Sequence, residues 1–577
     1  MMRANKQRSL KVPKPPKRPG DPRDKKVTRT KNAGGIDWGI TIVPICIILV
    51  LSVLLMFFPE VASNLLTSLK NVFTNQLGFF YILIGLGVLL LAIWLSFSKY
   101  GKIKLGNLQK PRYKNFAWGS MIFTSTMAAD ILYWSLIEWA YYYTDAPFGM
   151  ENMTKVQLQE WSSTYPLFHW GPIPWAFYIL PAVAYGYMFF VKKRHRQTLS
   201  EACRPTIKKH ADGILGKVID IFSVVGLLAG TATTFSLATP LLTQAVARIF
   251  GIQPTKFISI IMLLLVAAVF TAAVLCGMKA ISLVAKLCVI VFVVLVGIFV
   301  ICGPKVYMIE SGISAIGNMV QNFFHMSTWM DPAREAGSFG FPQNWTIFYW
   351  SYWIAWFVAT PFFIGKISEG RTIRQTVLGG LSCGLAGTFT SFVVFGNYGL
   401  FQQITGRLNI ADSLAGGMTP AEVIIRIFDT LPITNIALIV LIIAMIAFYA
   451  STFDAITLVV AGYSHKKLAK DEEPHKGLRI FWALIFIILP VALIFSESTL
   501  QNLQTIAIIA AFPLGLIMIL IIYSFFKDMK KDYKAAIMAG KIPANDSIVL
   551  DDIAPEGSTS QETASAETKT SVSADGM

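Results

Sequence analysis

Residues 345–356 read WTIFYWSYWIAW. Trp350, Trp353 and Trp356 recur every third residue, so the sequence puts them on one helical face. A second aromatic group, HWGPIPWAFY, sets Trp170, Trp175 and Tyr178 among Pro172 and Pro174. Indole and phenol faces arranged around a void suit one ligand class above others. A quaternary ammonium has no N–H to donate, so hydrogen bonds cannot hold it. Ring quadrupoles can, at about 2 kcal/mol or more per desolvated contact. The plainer reading of any single Trp is an interfacial aromatic belt. Against it stand the depth of the Trp series and the prolines nearby, including Pro361. Backbone broken at membrane depth is tolerated where it lines a cavity.

The ionisable candidates lie in equally apolar surroundings. Asp130 falls within TSTMAADILYWSLIE, with Glu138 two turns further on. A carboxylate near a bilayer centre costs several kcal/mol on insertion scales, so it must face a cavity or a partner. Asp130 is read as a site for a substrate cation, a coupling ion or a proton; a structural pair with an intramembrane Lys is the alternative. Asp454, in FYASTFDAIT, is a second such acid, and Ser451 and Thr452 before it are hydroxyl ligands suited to sodium. Lys279 and Lys286 are seven apart on one face. Lys279 can snorkel to the interface. Lys286 is expected deeper, where a fixed ammonium would stand in for a coupling cation. The loop GKISEGRTIRQ (365–375) offers Arg371 and Arg374 for helix capping, lipid headgroups or gating. His169 has no evident partner in the sequence.

These side chains need a scaffold of membrane helices. The 577 residues are 54% hydrophobic and only 14% charged, against roughly 45–50% and about 25% in soluble domains. Mean hydropathy is +0.56. Disordered chains, collagens, disulfide scaffolds and conventional soluble enzymes are excluded. Twelve runs are long and apolar enough to span a bilayer. They fall at about 39–59, 80–98, 118–140, 167–191, 219–239, 257–276, 283–302, 344–367, 376–400, 436–462, 477–495 and 504–526. No period-2 alternation supports barrel strands. The fold class is therefore all-α and polytopic.

Loops 99–117, 192–217 and 463–480 hold six, eight and five Lys or Arg, while 141–166 holds only Lys155 and 496–503 none. One orientation satisfies them all, with both termini cytoplasmic in the cell membrane. Residues 1–38 form a basic tail, with twelve Lys or Arg against two Asp in the first 35. No removable signal peptide is expected there, and no nucleic-acid motif interrupts it. The tail is read as a topology determinant or a sensor of anionic lipid. The membrane domain is taken as 39–526, and 527–577 as a largely disordered cytoplasmic tail. Residues 304–325 are expected as an amphipathic helix along the outer face. The six cysteines show no paired spacing.

Taken together, these segments resemble the betaine/choline/carnitine transporter family over about residues 40–530. The most specific are WTIFYWSYWIAW with KISEGRTIR, then HWGPIPWAFY; PFG (147–149) and SLATPLLTQ (236–244) are weaker. The last, with IEWAYYY (137–143), is closest to the carnitine/γ-butyrobetaine branch. The resemblance implies a LeuT-like core of two inverted five-helix repeats, runs three to seven and eight to twelve, after two extra helices. It implies a homotrimer, and an aromatic box on Trp170, Trp175, Tyr178 and Trp353, with Trp356 beside it. A sodium site would fall on Thr124, Met127, Phe448, Ser451 and Thr452. Sodium-independent exchangers carry a basic residue in the seventh span, which Lys279 or Lys286 would imitate. The sequence departs from the family pattern at Thr126–Asp130, where betaine carriers have a glycine-rich run; Asp130 resembles choline-accepting members. It departs again at Tyr352, Lys366 and Glu369.

The expected function is secondary transport of trimethylammonium compounds such as carnitine, choline or glycine betaine, by alternating access. No organic cofactor or catalytic residue is expected; sodium is the one candidate ion. The rival reading is a quaternary-amine-gated channel or sensor. An enzyme is disfavoured, because no nucleophile–base grouping, metal cluster or phosphate loop is present.

Overall fold

Inside a bilayer the backbone can only bond to itself, so long apolar runs become helices. The computed structural model describes residues 35–125, 128–149, 153–276, 278–335, 338–466, 474–496, 500–539 and 548–550. Most of the basic N-terminal tail, most of the C-terminal tail, and Met127 lie outside them. The helices, in order, are α1 (Trp38–Phe57), α2 (Pro59–Lys70), α3 (Gly78–Phe97), α4 (Asn115–Thr124), α5 (Ala129–Thr144), α6 (Lys155–His169) and α7 (Pro172–Phe190). Then come α8 (Leu199–Ile207), α9 (Ile214–Phe250), α10 (Lys256–Cys276), α11 (Met278–Cys302), α12 (Lys305–Thr328), α13 (Ile347–Trp356) and α14 (Thr360–Ile367). The last are α15 (Ile373–Ser391), α16 (Asn397–Ile404), α17 (Ile410–Ala415), α18 (Pro420–Asp429), α19 (Thr434–Tyr463), α20 (Lys476–Phe495) and α21 (Leu500–Met538). Among the described residues there are ten candidate membrane spans, or twelve if each of two bent helix pairs counts as one.

The bent pairs decide where the site can be. The third run is α4 and α5, meeting at 67°, and the eighth is Pro342–Trp356 and α14, meeting at 58°. They stand five spans apart. Each break puts helix ends at the middle of a span, the geometry that lines a binding cavity in broken-helix transporters.

Several segments depart from the sequence expectation. Most of α6 falls in loop 141–166, and two of its buried polar residues find partners on other helices. Ser163 donates to Asn397 Oδ1 (2.7 Å), and Thr164 Oγ1 accepts from Asn318 Nδ2 (3.1 Å). The last run continues as helix through Met538 because Asp528 and Asp532 on its inner face bind Arg194 and Lys192 at 2.8 and 3.0 Å. The amphipathic helix is present as α12. It buries Met308, Gly312 and Met319 and exposes Val306, Ile309, Ile313 and Phe324.

The Lys- and Arg-rich loops gather at one end of the bundle, called here the basic end. There Lys104 bridges to Thr372, Ile103 to Ile548 and Ile36 to His465. Arg374 Nε caps the last turn of α3 at Ser96 O (2.8 Å), and Arg371 stacks 4.1 Å over the Trp118 ring.

Candidate functional site

The fourth run kinks between α6 and α7 because only glycine fits at 171. A Cβ there would lie 2.4 Å from Leu167 O. Pro172 follows at the first turn of α7, where its missing N–H costs nothing. The kink projects Trp170, Trp175 and Tyr178 toward α13. Trp353 sits at the centre of the group, with ring centroids 5.4 Å from Trp170, 5.5 Å from Trp175 and 4.8 Å from Tyr178. The rings meet at 69°, 65° and 49°, so they form walls rather than a stack. All four line a cavity of about 510 Å³, a size suited to a small ligand. Trp356 and Tyr352 line it as well.

Not every aromatic residue of the series takes part. Trp350 is fully buried, and a Cβ on Gly85 of α3 would lie 2.9 Å from its Nε1. Its ring packs against Phe168 at 5.3 Å and Phe177 at 6.4 Å, away from the cavity lining. A spacing of three residues turns a helix by ~300°, so each step drifts ~60° and the series cannot hold one face.

Asp130 also lines the cavity. It lies in the first turn of α5, just past the break, where the helix dipole favours an anion. Its Oδ2 accepts a hydrogen bond from Tyr352 OH (2.5 Å), which also contacts Thr234 Oγ1. Among the described residues no Lys or Arg forms an ion pair with Asp130.

The other charged candidates separate. Asp454 lines the cavity and is ion-paired with Arg479 of α20, a partner the sequence reading missed. Lys286 is exposed and outside the cavity lining, although its neighbour Ala285 is part of it. The sequence expected Lys286 at depth in a coupling role; the structure places it outside the cavity lining, on a helix packed against α19. The side chain of Lys279 lies outside the described residues. Lys366 does line the cavity, as does Gln197 in the loop after α7. The cavity thus extends from the aromatic group toward the basic end.

Of the sodium-site candidates, Thr124, Ser451 and Thr452 line the cavity. Phe448 is fully buried one turn before Ser451; Met127 lies outside the described residues. Thr124 Oγ1 donates to Met121 O (3.1 Å) at the end of α4. Among the described residues no group of three or more His, Cys, Asp or Glu could hold a metal ion.

Three further residues shape the site. Thr388 Oγ1 donates to Trp170 O (2.8 Å) and lines the cavity. Gly384 of α15 lies flat under Trp175: a Cβ there would be 2.3 Å from the indole Cδ2. His169 is fully buried with Tyr142 at 2.7 Å, Thr346 at 3.1 Å and Glu138 at 3.5 Å. The small-residue run GGLSCGLAG (379–387) was the available signal for Gly384.

Residues 39–534 match the model of the BCCT, betaine/carnitine/choline family of transporters. The chain belongs to that family. This BCCT chain is 28% identical over 479 residues to a carnitine transporter of Acinetobacter baumannii, covering 82% of the chain and 84% of the relative. It is 28% identical over 446 residues to the uncharacterized transporter YeaV of Escherichia coli K12, covering 77% and 91%. Among solved structures, a substrate-bound, outward-open Na⁺-coupled sialic acid symporter aligns with a TM-score of 0.37 at 13% identity, over 79% of this chain and 84% of that one. The BCCT chain is a multi-pass membrane transporter and not an enzyme.

Proposed function

We propose that this BCCT transporter carries a trimethylammonium compound, such as carnitine, choline or glycine betaine, by alternating access. The observation that carries the reading is one cavity with two features. Four aromatic rings wall it, and Asp130 faces it with no ion-pair partner among the described residues. Methylated nitrogen matches the rings, and its positive charge offsets the buried carboxylate. The relative named as a carnitine transporter supports the same substrate class. In this reading the basic end faces the cytoplasm of a cell-membrane protein, and the two broken spans open two five-helix repeats. The protein works as a homotrimer, and Ser451 and Thr452 hold a sodium ion if sodium is the coupling ion.

The test is uptake into proteoliposomes, with choline, carnitine, γ-butyrobetaine and glycine betaine as competitors, with and without a sodium gradient. Saturable uptake competed by at least one of them is expected. Asp130→Gly is expected to shift preference toward the zwitterions, because it removes a charge that repels their carboxylates. Flux that never saturates would favour a channel and sink the transport reading. An unchanged competition profile in Asp130→Gly would remove Asp130 from the substrate site.

A further inference from the structure

The tryptophans of the site differ in how they are held. Among the described residues, the indole N–H groups of Trp175, Trp353 and Trp356 have no hydrogen-bond partner. That of Trp170 donates to Glu138 Oε2 at 2.8 Å. Glu138 is completely buried, and no Lys or Arg pairs with it among the described residues.

With Glu138 as a carboxylate, the direction of each hydrogen bond around it follows from counting protons. Tyr142 has one hydroxyl proton and gives it to Glu138 Oε1 (2.6 Å). The contact between Tyr142 OH and His169 Nδ1 (2.7 Å) must then be donated by Nδ1–H. In the neutral ring Nε2 is left as the acceptor for Thr346 Oγ1 (3.1 Å). The chain runs Thr346, His169, Tyr142, Glu138, and every proton in it points toward the carboxylate. Trp170 reaches the same group from the other side. In this arrangement both oxygens of the carboxylate accept, and the Trp170 N–H bond to Oε2 is the contact that reaches the cavity wall.

We propose that Glu138 is a positioning residue for the substrate site, fixing the Trp170 ring through its N–H and, held as a carboxylate, enriching its π-face. An anion on the indole N–H pushes electron density into the ring, since linked hydrogen bonds polarise one another. A richer face attracts a cation more strongly and leaves a neutral ligand unaffected. The inference rests on the trimethylammonium reading above.

The test uses the full chain in proteoliposomes. Binding of choline and of its neutral carbon isostere, 3,3-dimethylbutan-1-ol, is read by tryptophan fluorescence. Glu138→Gln keeps an oxygen for the indole and removes the charge. It is expected to weaken choline about tenfold and the alcohol less than twofold. Equal loss for both ligands, or no loss for either, overturns the proposal. Tyr142→Phe keeps the Glu138–Trp170 bond and is expected to weaken choline less than threefold. A loss as large as that of Glu138→Gln makes the cluster a packing unit and also overturns it. The indole N–H Raman band of Trp170, isolated by difference from Trp170→Phe, gives a ligand-free readout and is expected to shift in Glu138→Gln. If wild type binds no choline, the trimethylammonium reading is what fails. The Raman band then decides by itself whether Glu138 holds Trp170, and an unshifted band refutes that.

Discussion

Trp353 is the one ring in contact with all three other walls of the cavity, so its loss should be felt at each. Removing an aromatic face forfeits about 2 kcal/mol of cation attraction, or roughly thirtyfold in affinity. Trp353→Leu keeps much of the apolar volume and should lower apparent affinity for a trimethylammonium ligand by about that factor. Trp353→Phe should retain most of it. Competition uptake on both variants checks this, and equal affinities would mean that volume, not the π-face, matters. The aromatic residues were legible because their types are rare and dense. Which of them face the void was not legible. Trp350 and Trp353 look equivalent in sequence, yet Trp350 packs toward Gly85 and Trp353 toward Tyr178. Rotational phase is set by neighbouring helices, and those come from distant parts of the chain.

Helix α15 approaches α7 closely only because it is glycine-rich on the contact face. Gly384 and Gly380 test this differently. A Cβ at 384 meets three indole ring atoms of Trp175 at 2.3–2.6 Å. A Cβ at 380 meets the end of the Ile179 side chain at 2.6 Å, and that group can rotate aside. Overpacking of a rigid ring costs about 1–3 kcal/mol. Gly384→Ala should therefore lower the thermal midpoint and weaken substrate binding about tenfold as Trp175 is pushed into the cavity. Gly380→Ala should leave binding within twofold. Thermal unfolding and competition uptake on the two variants decide it. Helix α6 teaches the same lesson at this scale. Its residues look like a loop in sequence, because hydropathy does not record that Ser163 and Thr164 find partners on α16 and α12.

Across the whole molecule, the end opposite the basic loops is tied by an unusual lysine. Lys70, at the end of α2, is 1% exposed and donates to Asn344 Oδ1 at 2.8 Å. Its ammonium lies 4.4 Å above the Phe339 ring. Burial pushes its amine down from the ordinary 10.5 to about 8. Between about pH 8 and 10.5 the unfolded chain therefore binds more protons at this position than the folded one. Stability should rise with pH across that window, by at most about 3 kcal/mol, and the gain is lost as pH falls through 8. The thermal midpoint of wild type, compared with Lys70→Met between pH 7 and 10, checks this. A parallel pH dependence in the two proteins would remove Lys70 as the cause. The contact couples α2 to the start of the eighth span, whose first half ends at the break just after Trp353.

The sequence by itself determined the membrane class, the twelve apolar runs, the basic loops and the aromatic chemistry. Each of these is local: hydropathy over ~20 residues, charge within one loop, or side-chain type within one turn. Tertiary structure alone decided that α4 and α5 meet at 67°, placing Asp130 at a helix start inside a cavity. It decided that Asp454 is matched by Arg479, that Lys286 faces outward and that Glu138 holds Trp170. Those outcomes depend on helix rotation and on partners 25 or more residues away in most cases, which no local pattern encodes. They are settled only when every helix has found the neighbours against which its apolar face and its few polar groups are satisfied together.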